Sequence, residues 1–198
     1  MKIFDEKIKE HRDQYIKQCL LGTGLILMII FALEVDTHTV IIATLGATTF
    51  IVFGLPHSYA SDPRRIFGGY AIGLLIGLVA YYLKLFFLYI DPEGFEGIDI
   101  LMGALAIGAS IFLMVFTNTE HPPAAGLSVG LLFNPWGIET ILVVIAAVTV
   151  LNVSKYFLRN WLIDLHGPSD SQVEECEDIN EEINTTEEEQ NTNFTDLE

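Results

Sequence analysis

The chain has 198 residues, of which 51% are apolar, and a formal net charge of -16. The apolar residues cluster between Cys19 and Leu158 in runs approaching twenty residues, the signature of a membrane protein rather than of a short water-soluble domain. Twelve of the 26 acidic residues, and no Lys or Arg, follow Gly167, so the acidity belongs to a tail, and no basic patch points to nucleic acid.

The first 18 residues are mixed-charge, unlike a secretory signal, and an uncleaved polytopic membrane protein is the expectation. Residues 1–17 read as an N-terminal arm, 18–160 as a transmembrane helical domain, and 161–198 as an interfacial end with a disordered acidic tail. The first apolar segment runs from Gln18 to Leu33 and is interrupted by "EVDTH", Glu34 to His38. The second, Thr39 to Pro56, leads into the polar turn "HSYASDPRR". The third, Ile66 to Ile90, is longer than the hydrocarbon core requires, and Lys84 near its far end can snorkel. After the loop "DPEGFEGID" comes a fourth segment, Ile100 to Phe116. Then "FTNTEHPPAAGLSVG", Phe116 to Gly130, breaks the pattern, leaving Ala124 to Phe133 as half a span. The last span is Ile138 to Leu158, with Tyr156 and Trp161 suited to a headgroup belt.

Lys2, Lys7, Lys9, Arg12 and Lys17 precede the first span, Arg64 and Arg65 follow the second, and Lys155 and Arg159 flank the last. The positive-inside rule then places both termini in the cytoplasm of a cell-membrane protein. Two cytoplasmic ends need an even number of crossings. Counting the short piece as a crossing gives six, the preferred reading; a broken or re-entrant segment gives five. The six-crossing reading suggests a 3+3 inverted repeat, because "ATLGATTFIVFGLP", Ala43 to Pro56, resembles "HPPAAGLSVGLLFNP", His121 to Pro135. Inverted repeats with short or broken helices recur in secondary transporters. Asn184 and Asn193 match a glycosylation pattern, which in a cytoplasmic tail is a chance match. Cys19 and Cys176 are placed too differently to form a structural disulfide. Without CxxC or HExxH spacing, no metal site or cofactor is implied.

The break carries the chemistry. Pro122 and Pro123 remove two backbone donors and preorganise the first turn of a helix. The N–H groups of Ala124, Ala125 and Gly126 would point toward the helix start, where small side chains leave room for an anion. His121 stands there as a donor to an oxyanion or as a proton carrier, tuned by Glu120. The competing reading is a histidine that satisfies a carbonyl beside a proline turn. In "SDPRRIFGG", Asp62 can cap the helix that Pro63 begins. Arg64 and Arg65 are topology anchors, or one of them, Arg64 by its place after Pro63, attracts an anion. Gly68, Gly69, Gly73 and Gly77 read as a helix-packing face. Thr44, Thr48 and Thr49 bond to their own helix or line a polar path. Asn118 and Asn152 are polar candidates near membrane depth. His38 and His57 lie at opposite ends of the second segment and are weaker candidates.

The stretches "LGATTFIVFGLPHSYASDPRRIFGG", Leu45 to Gly69, and "HPPAAGLSVG", His121 to Gly130, occur in the order and separation of the HPP family of integral membrane proteins, and the chain resembles that family from Gln18 to Asn160. The resemblance implies a helical membrane protein, usually described with four spans. It also implies a link to nitrite transport, known for cyanobacterial and chloroplast members. By motif, Pro63, Arg64, His121, Pro122 and Pro123 carry over. The family's "AQPRN" is here "SDPRR", which alters the local charge at Asp62 and Arg65.

The function expected is a small-anion transporter, nitrite first, proton-coupled through His121 and Glu120, and not an enzyme. The alternatives are a scaffold or sensor that recruits a basic partner through the acidic tail, and a membrane-embedded enzyme. The partners are a small inorganic anion and the lipid bilayer, with a homo-oligomer expected because the body is small.

Overall fold

Six α-helices account for most of the residues described in the computed structural model, which are 12–32, 35–90, 97–134 and 136–165. Expectations for the first eleven residues, the loop at 91–96, the acidic tail with Cys176, Asn184 and Asn193, and the side chain of His38 lie outside the described residues. Asp13–Asp164 forms one compact unit, and a second unit, Met1–Arg12 with Leu165–Glu198, falls almost wholly outside them.

The helices are α1 (Arg12–Ala32), α2 (Val35–Gly54), α3 (Pro63–Ile90), α4 (Ile98–Thr117), α5 (Pro122–Phe133) and α6 (Ile138–Leu158), with a 3₁₀ turn at Tyr59–Ser61. The last agrees with the sequence expectation residue for residue. The first begins six residues before Gln18, inside the stretch expected to be an arm. Apolarity reports where a helix enters lipid, whereas Arg, Gln and Lys sustain a helix beyond that point. In the same way α2 absorbs Val35 to His38, part of the expected polar interruption. Two of the helices start on proline: α3 at Pro63 and α5 at Pro122.

α1, α3, α4 and α6 are long and apolar enough to cross a membrane. The protein is an all-α, polytopic membrane helix bundle. Phe31, Tyr89, Ile100 and Phe116 stand on its outer surface, where lipid rather than water accounts for their exposure. α3, with 28 residues, spans about 42 Å at 1.5 Å per residue, while α5, with 12, spans about 18 Å.

The chain alternates between two ends of this bundle. At one end Gln18 of α1 donates to the carbonyls of Phe53 (2.8 Å) and Ile163 (2.9 Å), tying together the start of α1, the end of α2 and the segment after α6. At the other end Lys84 of α3 pairs with Asp99 of α4 at 2.7 Å, and Tyr81 packs edge-on against Trp136. α5 starts at the first end, and Phe133 at its finish lies against Gly103, near the start of α4. It therefore runs toward the second end rather than turning back.

α5 is the centre of the bundle, packed on α2, α3 and α4. Its Leu127 and Leu131 are fully buried with Ile41, Leu45, Ile66 and Leu151 from α2, α3 and α6. In lipid such burial gains little from the hydrophobic effect, and close packing must hold the helices together. Gly69, Gly73 and Gly77 supply it, as the small-residue spacing predicts. A Cβ at Gly69 would stand 2.8 Å from His121 Cβ, and one at Gly77 would stand 2.9 Å from Leu131. Gly126 and Gly130 of α5 do the same toward Thr44 and Ile41 of α2. The two shorter apolar stretches that show the internal similarity, Thr39–Gly54 of α2 and Pro122–Phe133 of α5, thus face each other.

Candidate functional site at the helix break

α4 ends on a Schellman turn. Thr119 N–H donates to Met114 O at 2.9 Å, and Asn118 N–H donates to Val115 O at 3.2 Å. Asn118 takes the left-handed conformation this turn requires (φ 56°), which Asn tolerates better than most residues. The chain then extends through Thr119 and Glu120 to His121, the residue before α5.

Pro122 and Pro123 occupy the first two positions of α5 and have no N–H. Ala124 N–H donates to the His121 carbonyl at 2.9 Å. Ala125 and Gly126 follow within the helix, where the ladder takes their donors. The space beyond is filled by Gly69 and Gly73 of α3. The small residues after the prolines therefore serve helix–helix contact, and the start of α5 presents no row of free donors to an anion. The sequence reading assigned that space to a ligand because it could not place α3 there.

His121 is completely buried. Its Nδ1 lies 3.0 Å from the carbonyl oxygen of Ala60, which can only accept, so Nδ1 carries a hydrogen. Its Nε2 lies 2.9 Å from Thr48 Oγ1, and Thr48 Oγ1 lies 2.8 Å from the Tyr70 hydroxyl. With a neutral ring, Thr48 donates to Nε2 and accepts from Tyr70. Thr48 Oγ1 also lies 3.0 Å from the Thr44 carbonyl. With a charged ring, Nε2–H would donate to Thr48, and the Thr48 hydroxyl would turn to Thr44. One hydroxyl rotation accommodates both protonation states.

Above this buried line sits a charged layer. Arg65, 7% exposed, donates through Nη1 to the Glu120 carboxylate and through Nη2 to Asn118 Oδ1 at 2.8 Å. Its guanidinium lies over the Tyr59 ring, 3.0 Å from the centroid, and the Tyr59 hydroxyl donates to Asn118 Oδ1 at 2.9 Å. A backbone N–H donor at Glu120, together with the Arg65 charge, holds the Glu120 carboxyl below its ordinary range. Arg64 is exposed, and its backbone N–H donates to Asp62 Oδ1 at 2.8 Å, so Asp62 caps α3 as its sequence position suggests.

The structure thus joins His121 and Thr48 directly, and Glu120 and Asn118 through Arg65, and leaves Arg64 apart. Arg65, not Arg64, faces inward. The signal was available: Arg65, Gly69, Gly73 and Gly77 form one i+4 stripe. Tyr59 and Tyr70 were missed because aromatic residues in an apolar chain carry no marker of their hydroxyl partners. His57 is exposed on the polar turn, where its N–H donates to Asp164 Oδ1 at 3.0 Å. Thr44 and Thr49 bond to carbonyls of their own helix. Asn152 lies on the buried face of α6 and donates to Val148 O at 2.9 Å.

The family model for the HPP transmembrane region matches residues 9–162 of this chain. The chain belongs to the HPP transmembrane family. The His-Pro-Pro triplet, His121 to Pro123, is the junction just described, so in this HPP protein it places a buried imidazole at the start of the central short helix. A transmembrane protein of Dictyostelium discoideum is 34% identical over 84 residues, 42% of this chain and 27% of the relative. The matched part thus spans about a quarter of that protein's length. No solved structure matches.

Proposed function

We propose that this HPP protein carries a small inorganic anion, nitrite first among candidates, across a cell membrane with both termini in the cytoplasm, and that it performs no covalent chemistry. The observation that carries the reading is the buried polar line Tyr70–Thr48–His121 at the start of a twelve-residue helix inside the bundle. Short helices entered through a break, at a polar centre and in facing pairs, recur in secondary transporters. The family resemblance to nitrite-linked members supports the choice of substrate.

In this reading the cation met by the anion is Arg65, released as the anion displaces Glu120. A proton on His121 accompanies it, taken up with the Thr48 hydroxyl turning to Thr44. The test is uptake of nitrite, nitrate, formate and chloride into liposomes holding the purified protein, with and without a pH gradient. Saturable nitrite entry that is lost in Arg65→Gln supports the carrier. Absence of selective flux for all four anions with folded, inserted protein overturns it. Uptake by His121→Gln with an unchanged pH profile removes the proton role alone.

A further inference from the structure

A second polar site lies beside the break and is built from different residues. The turn at Pro56 to Ser58, the start of α3 and the last turn of α6 enclose a pocket of about 350 Å³. Lys155 lines it and is buried, and its Nζ donates to the Ser61 carbonyl and to Ser61 Oγ at 2.5 Å. Among the described residues no carboxylate lies within ion-pair distance of that ammonium. An ammonium has three donors, so one is left. Arg159, one helical turn on and exposed, lines the same wall and brings a second cationic residue to it.

The opposite requirement sits beside them. Asn152 also lines the pocket and is 5% exposed. Its Nδ2 is fixed on Val148 O, which leaves Oδ1 buried without a partner. An unpaired buried acceptor is costly, and a donor from a ligand in the pocket would satisfy it. Asp62 contributes a second acceptor: one carboxylate oxygen takes the Arg64 N–H and the other is not committed there. In the lining Lys155 and Arg159 face Asp62, while Asp164, held on the lining residue His57, acts on Lys155 from the edge. The free ammonium donor suits a phosphate oxygen, and the two acceptors suit neighbouring hydroxyls. Nitrite offers no donor and is small for this volume. Tyr156 of the last turn of α6 lines the pocket, and it and Phe157 are exposed at a depth suited to an aromatic belt.

We propose that this pocket binds a phosphate group with neighbouring hydroxyls, the chemistry of a phosphoglycerol headgroup, with the phosphate on Lys155 and Arg159 and the hydroxyls on Asn152 Oδ1 and Asp62. The same chemistry comes from an anionic phospholipid or from soluble glycerol phosphate. The site is independent of the transport reading, because it uses neither His121 nor Arg65.

The experiment is native mass spectrometry of the full chain in detergent, titrated with short-chain phosphatidylglycerol, phosphatidylmethanol and phosphatidylethanolamine, and separately with glycerol 3-phosphate. Phosphatidylmethanol keeps the charge and lacks the hydroxyls. The native protein is expected to prefer phosphatidylglycerol by about tenfold, the worth of one good hydrogen bond to a buried acceptor. Asn152→Leu should abolish that preference while retaining binding of both anionic lipids. Arg159→Gln should weaken both, and Lys17→Gln, outside the pocket, neither. Tight binding of glycerol 3-phosphate with the same variant pattern assigns the site to a soluble ligand; its absence beside lipid binding assigns it to the headgroup. Equal affinity for phosphatidylmethanol or phosphatidylethanolamine, binding of neither probe, or variants that fold and bind like the native chain overturns the proposal.

Discussion

Arg65 reaches across from α3 to Glu120 and Asn118, on opposite sides of the turn that separates α4 from α5. One guanidinium thereby fixes both the end of one helix and the approach to the next. Its neighbour Arg64 touches neither. Arg65→Gln should lower the melting temperature of the purified protein by several degrees, whereas Arg64→Gln should shift it little, because surface substitutions away from such networks have small effects. Equal effects of the two, measured by fluorescence-detected unfolding, would refute the assignment of the inward arginine.

The same pair sets a pH dependence. The Glu120 carboxyl is held below its ordinary pKa by a backbone donor at Glu120 and by Arg65. A group depressed on folding contributes stability that is fully present above its unfolded value and is lost as pH falls through the lowered folded value. The difference in melting temperature between the native protein and Glu120→Gln should therefore be constant from neutral pH down to the ordinary carboxylate range. It should vanish only in stronger acid. A difference that disappears above pH 5 would mean that the Arg65 contact does not hold Glu120 ionised.

Thr48 is the joint of the buried line, and its hydroxyl rather than its shape is what His121 uses. Thr48→Val keeps the volume and strips the Nε2 partner, which should cost about 1–3 kcal/mol for an unsatisfied buried group. Thr48→Ser retains the hydroxyl and should lose less. Denaturant titration in detergent separates the two. If valine proves as stable as threonine, Nε2 has another partner and the relay is not built as described.

Much of this architecture was legible in the sequence. Apolar length alone shows five long segments, and four of them are the spans α1, α3, α4 and α6, while the fifth, Thr39 to Pro56, is the apolar part of α2 and its end. The starts of α3 and α5 follow from Pro63 and Pro122, whose fixed φ suits a first helical position. In this chain four of the described helices are long and apolar enough to cross a bilayer, while all six alternate in direction between the same two ends. What remained hidden was tertiary. An alanine-rich helix start looks the same whether an anion or the glycine face of α3 lies against it. Lys155 reads as a topology marker in the flank of a span, yet Val148, Asn152 and Lys155 share one buried face of α6 at spacings of four and three. Helical periodicity could have turned it inward, but its Ser61 partner, 94 positions away, could not be read from spacing.

The packing of α3 on α5 makes the sharpest structural prediction. Gly73 faces the backbone carbonyl of Ala124, and a methyl group there would collide with a peptide oxygen rather than with a movable side chain. Gly108 on α4 has nothing within 4 Å of the same added atom. Gly73→Ala should therefore push α5 away from α3, disturb the seat of His121 and sharply reduce the yield of folded monodisperse protein. Gly108→Ala should be tolerated or slightly stabilising, since alanine is the better helix former by about 1 kcal/mol. The comparison is read from size-exclusion profiles and melting temperatures of the two variants expressed side by side. A well-behaved Gly73→Ala protein with the native melting temperature would show that α3 and α5 are not in backbone contact, and the burial of His121 would have to be redrawn.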